Sequence, residues 1–185
     1  MLHAAVLLVL IAALATGCAN TAMTAGGVAP QVANQHAADV AYAQMMMPHV
    51  VQGVELTEMV PGRAADPSLV QLVQSMNYTD VEEQGQLAGQ LHLWQAPVPG
   101  EDGVPLATMP GMADAATLDR LRGMSGPRFD RAWLAVMIAH HQGGVDMSHD
   151  YLDTGADQAL ATVAETQVQV SSEQIGQMRT LQTRA

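Results

Sequence analysis

Apolar positions recur along this chain at the three- and four-residue intervals of an α-helix. Leu69, Leu72, Val73, Met76, Leu87, Leu91 and Trp94 fall mostly on one stripe; Leu160, Val163, Ile175, Met178 and Leu181 form another. No stretch of useful length alternates as a strand does. Asp66-Pro67 and Asp157 stand where two of the helices begin. Asp accepts from the free N–H groups of a first turn, and Pro at the first position lacks only an N–H that would have no partner. Pro61-Gly62 and Gly155 mark the breaks before them. Pro48 falls inside the first helical pattern, beside His49, where it removes a backbone hydrogen bond and is expected to bend the helix.

The pattern repeats. Sliding the chain against itself by 91 residues aligns Asp39 with Asp130, Tyr42 with Trp133, Met46 with Met137, His49 with His140 and Gly53 with Gly144. Without a gap the same offset pairs Asp66 with Asp157, Leu69 with Leu160 and Gly85 with Gly176. Rare residues in register indicate a duplicated unit. Each unit, 34–94 and 125–185, reads as a helical hairpin, and four amphipathic helices close into a bundle. The crossover, 95–124, contains APVPGEDGVP and is a loop. A short helix is expected within Ala113–Gly123, with Asp114 near its start.

Upstream of the repeat, Ala4–Ala15 is an apolar run too short to span a bilayer comfortably, with the length of a signal-peptide core. It ends in Thr16-Gly17-Cys18, which resembles the lipobox of bacterial lipoproteins. That resemblance implies a signal peptide over 1–17, lipidation of Cys18, and an extracytoplasmic chain held to a bacterial membrane in the cell envelope. Residues 18–33 are small and polar and read as a tether. The bundle domain is then 34–185.

Composition narrows the chemistry. The chain has 185 residues, of which 49% are apolar but only 3% aromatic, so a core must be built from Ala, Val, Leu and 13 Met. All seven basic residues are Arg, and the net charge is −11. Such a chain offers no footprint for a phosphate backbone, so nucleic acid is excluded as a partner and cations are favoured. The single Cys forms no internal disulfide and no CxxC motif.

The densest chemistry lies in WLAVMIAHHQGGVDMSH, residues 133–149. With about 100° per residue, Met137, His140, His141 and Met147 share one helix face, with Gly144 near its centre. The equivalent face of the first unit carries Met46, His49 and Gly53, with Met45 beside them. Thioether and neutral imidazole donors without cysteine suit Cu(I) and Ag(I). Met at this spacing also serves as core filler, so the residues alone leave ion binding and packing both open. His36, His92, His149 and the crossover thioethers Met109, Met112 and Met124 are secondary candidates. Di-iron bundles use an E-x-x-H on each of two helices, and no E-x-x-H occurs. No nucleotide fingerprint or nucleophile elbow is present, and no nucleophile accompanies the histidines, so no catalytic residue is assigned.

Gly111, Met112, Ser125, Gly126, Phe129, Asp130, Trp133, Leu134, Met137, Ile138, His140, His141 and Met147 follow in order the hallmark of the bacterial family known as domain of unknown function 305. The chain closely resembles that family. The resemblance implies a ferritin-like four-helix bundle and an extracytoplasmic protein that binds copper or silver in metal tolerance. It also implies Met137, His140, His141 and Met147 as ligands, with Met46 and His49 from the degenerate first unit. The expected role is that of a Cu(I) buffer or chaperone, possessing a metal-exchange protein partner and no enzymatic activity. Two rival readings are a structural or partner-binding helical module without metal, and a ferritin-like redox or iron-dependent protein.

Overall fold

The computed structural model describes residues 28–101 and 109–184. Among them are five α-helices and no strand: α1 (Val28–Glu58), α2 (Pro67–Leu93), α3 (Ala115–Arg122), α4 (Gly126–Leu152) and α5 (Gln158–Gln182). The protein is all-α. The signal segment and Cys18 lie outside the described residues. None of the described helices is long and apolar enough to cross a membrane.

Local signals set the helix starts. Asp66 caps α2 by accepting from Ser68 N–H at 2.8 Å, with Pro67 at the first helical position. Asp157 caps α5 through Leu160 N–H at 2.9 Å, and Asp114 caps α3 through Thr117 N–H at 2.7 Å. The start of α1 departs from expectation. It begins at Val28, so residues 28–33 belong to the helix and not to a tether. The physical reason is that Pro30 sits in the first turn, where its missing N–H costs nothing, and no glycine follows before Gly53. α1 also continues through Pro48.

α1 packs on α2 and α4 on α5; the two pairs meet through α1–α4 and α2–α5. Two apolar clusters result. One gathers Leu56, Leu69, Met76, Phe129, Trp133, Met137 and Met178. The other gathers Tyr42, Met46, Leu87, Leu91, Met147, Tyr151 and Leu160. Each long helix contributes to both clusters with opposite ends, and the residues between them form a third, polar layer.

The halves are tied by crossed hydrogen bonds that follow the repeat. Asp130 of α4 accepts from the N–H groups of Ala65 and Asp66, at the start of α2. Its counterpart Asp39 of α1 accepts from those of Ala156 and Asp157, at the start of α5, and from the Tyr151 hydroxyl at 2.9 Å. Trp133 Nε1–H donates to the Leu56 carbonyl at 2.8 Å. Its counterpart Tyr42 bonds Ser148 at 2.9 Å.

Candidate metal centre

The heptad stripe of α2 runs Leu69, Val73, Met76, Asp80, Glu83, Leu87, Leu91; that of α5 runs Leu160, Ala164, Gln167, Ser171, Gln174, Met178, Leu181. Both are apolar at the ends and polar in the middle. α1 brings His49 and α4 brings His140 and His141 to the same level, with 1%, 3% and 4% of their surfaces exposed.

His49 and His140 stack with ring centroids 3.8 Å apart. A hydrogen bond of 3.1 Å joins His140 Nε2 to the His49 carbonyl. The matched glycines make this possible. A Cβ on Gly144 would stand 3.1 Å from His49 Cε1, and one on Gly53 would stand 3.4 Å from His140 Cε1. Each ring thus lies over the glycine of the other unit, which a larger residue would crowd. His141 points elsewhere: its Nε2 meets Gln174 Oε1 of α5 at 2.6 Å, and its ring lies 6.1 Å from that of His140.

Burial sets the protonation of this layer. Desolvation, then the charge of His141, lowers His49 to about 4. His140 is held well below the usual imidazole range by burial, then by His49 and His141. Burial also lowers His141. Desolvation raises the Asp80 carboxyl to about 7; desolvation and then the neighbouring Asp80 raise Glu83 to about 8. At neutral pH the imidazoles are uncharged, the form that binds metal.

Among the described residues, the buried side-chain polar atoms with no hydrogen-bond partner are His49 Nε2, His140 Nδ1, His141 Nδ1, Asp80 Oδ2 and Glu83 Oε1. All five belong to this one layer. Each such atom costs about 1–3 kcal/mol, and unpaired groups concentrated at one place signal function rather than packing. As they stand, no three His, Cys, Asp or Glu side chains among the described residues form a cluster fit to hold an ion.

The candidate methionines divide. Met137 is wholly buried in the cluster on one side of the layer; Met46, wholly buried, and Met147 lie in the cluster on the other. His49, His140 and His141 are therefore brought together, whereas Met137 is separated from Met46 and Met147. The secondary histidines lie outside the layer. His36 meets Trp94 edge-on at 5.2 Å, His92 pairs with Glu101 at 3.4 Å, and His149 is exposed. The crossover closes against the layer. A Cβ on Gly143 would stand 2.1 Å from the Pro110 carbonyl oxygen, so only glycine admits this loop, and Gln52 holds the Ala113 backbone by two bonds. Met109 packs at the Met147 side and Met124 at the Met137 side.

Asp80, Glu83, Gln167 and Gln174 escaped the sequence reading. They fall in register with the apolar residues of the two stripes, but only the packing of α2 on α5 distinguishes them from a solvated face.

Several solved structures share this fold. A DUF305 protein from Streptomyces coelicolor assigned as secreted is 29% identical, with 78% of this chain and 91% of that one covered and a TM-score of 0.71. A DUF305 fragment from Deinococcus radiodurans is 27% identical over 80% and 97%, with a TM-score of 0.72. CopM in its Cu(I)-bound form is 24% identical over 79% and 96%, with a TM-score of 0.67, a likeness of fold. No curated protein sequence matches the chain. The family described as Domain of unknown function (DUF305) matches residues 39–182, which span α2 to α5 and most of α1, and the chain belongs to that family.

Proposed function

We propose that this protein binds Cu(I) or Ag(I) at the His49–His140–His141 layer and serves as an extracytoplasmic metal buffer or chaperone rather than an enzyme. The observation that carries this reading is the set of buried, neutral imidazoles, of which His49 Nε2 and His140 Nδ1 have no partner and His141 Nδ1 faces only the Met137 carbonyl of its own helix. An ion bound there would supply the charge and coordination that those nitrogens lack. His49 Nε2, His140 Nδ1 and His141 Nδ1 are the first donors, and the thioethers of Met46, Met137 and Met147 flank them as soft donors for a monovalent ion. CopM, similar in fold, has been solved with Cu(I) and with Ag bound, which supports the same class of ion here. In this reading the four long helices are a ferritin-like bundle of two hairpins. The lipobox-like Cys18 anchors it to the membrane, and a partner protein exchanges the ion.

Anaerobic titration of the full chain with Cu(I), alongside a His49→Ala, His140→Ala, His141→Ala variant, tests the proposal. The wild type is expected to bind, and the variant to lose at least about tenfold in affinity, a difference of about 1.4 kcal/mol. Equal affinity in the two proteins would overturn the assignment.

A second reading, a packing module without metal, draws on the complete burial of Met46 and Met137 in apolar clusters. Thermal melts separate the two, because an ion that binds only the folded state raises the midpoint.

A further inference from the structure

The imidazole layer is buried, so an ion needs a way in. A groove of about 590 Å³ runs between α2 and α5. Glu83 and Gln167 belong to its wall, and Gly85 and Gly89 line it on α2. No atom lies within 4 Å of where a Cβ on either glycine would sit. None of the three histidines lines the groove. Gln167 Nε2 and His49 Cε1 flank the same point above Gly144, at 2.9 and 3.1 Å. Asp80, whose charge acts on Glu83, flanks with His140 Cε1 the same point above Gly53, at 2.8 and 3.4 Å. Glu83 thus lines the groove and Asp80 stands beside the His140 ring, and each carries an unpartnered oxygen.

We propose that the α2–α5 groove is the doorway to the imidazole layer, and that Glu83 and then Asp80 pass the cation inward. This rests on the metal-binding reading above. A net charge of −11 draws cations to the surface. An arriving cation displaces to solvent the protons that burial keeps on Glu83 and Asp80; the carboxylate oxygens it then meets are hard donors and hold Cu(I) or Ag(I) weakly, whereas imidazole and thioether hold them well. Passage requires sites favourable enough to fill and weak enough to leave, and a carboxylate step before an imidazole terminus meets both conditions. Glu83 and Asp80 are positioning residues on this path.

The test is stopped-flow uptake of Ag(I) by the full chain, with equilibrium affinity measured in parallel. Gly89→Trp plugs the groove; Gly176→Trp, on an exposed position of α5 outside it, is the control. Asp80→Asn with Glu83→Gln removes the relay while keeping side-chain shape. The plugged and relay variants are each expected to fill about tenfold more slowly than wild type, with equilibrium affinity within about threefold, and the control to fill at the wild-type rate. Plugged and relay variants that bind Ag(I) as fast as wild type would overturn the doorway while leaving the metal site standing, and would point to the smaller cavity of about 300 Å³ between α1 and α4, where Met45 and Met147 lie. A wild type that takes up no Ag(I) would overturn both.

Discussion

At the residue scale the polar layer sets two opposing pH dependences. The buried imidazoles titrate below their ordinary value, so the unfolded chain takes up protons first and stability falls as pH drops below about 6.5. Asp80 and Glu83 act with the opposite sign. Their folded values, about 7 and about 8, lie above the unfolded ones. Their contribution is complete below about pH 4 and is lost as pH rises through 7 and 8. Between pH 6.5 and 8 the acids dominate, and the last deprotonation of the unfolded-state histidines offsets part of their effect. The metal-free protein is therefore expected to lose about 1 kcal/mol of unfolding free energy over that window in urea titrations, and Asp80→Asn with Glu83→Gln to abolish the loss. A wild type equally stable at both pH values would show that these carboxyls are not held protonated. The histidines were legible in the sequence because they stand out by type and register. The acids were not, because DVEE inside a helix reads as a solvated face until the partner helix is known to cover it.

At the element scale the starts of α2, α3 and α5 were legible and the reason for their placement was not. Asp66, Asp114 and Asp157 announce their helices by local chemistry alone. Asp39 and Asp130 align in the repeat, yet nothing local reveals that each caps a helix of the other half. That depends on how α1 and α4 cross. Pro48 likewise suggested a disturbance at His49, and α1 runs on. The crossed caps carry a definite expectation. Asp130 is buried and accepts from two backbone N–H groups, so Asp130→Ala strands both donors and is expected to cost about 2–3 kcal/mol in thermal or urea unfolding. Asp66→Ala removes one exposed cap bond and is expected to cost about 1 kcal/mol. Asp39→Ala should cost at least as much as Asp130→Ala, because it strands the donors at Ala156 and Asp157 and the Tyr151 hydroxyl. If Asp130→Ala costs no more than Asp66→Ala, the crossed bonds do not hold the halves in register.

At the scale of the whole molecule, the duplication is of a unit that is not independent. Both apolar clusters draw on both halves, and so do the Asp39 and Asp130 caps, the Trp133–Leu56 bond and the His49–His140 stack. Half of the chain, 34–94 or 125–185, exposes its share of two clusters and loses every one of these ties. A piece of that size has too small a core to offset the entropy of ordering it. Circular dichroism of 125–185 alone is accordingly expected to show weak helicity and no cooperative melt. Mixing it with 34–94 in equal amounts should restore both the melt and Ag(I) uptake, since the stacked pair needs one ring from each half. The alternative has a clear signature. If 125–185 melts cooperatively as a monomer, the second unit carries its own core, and the first is a cover laid over a site that the HH motif builds alone. Restoration of binding only on mixing would instead mean that the layer exists nowhere but between the units, and that the first unit kept His49 while losing the second histidine because one ring from its side completes the stack.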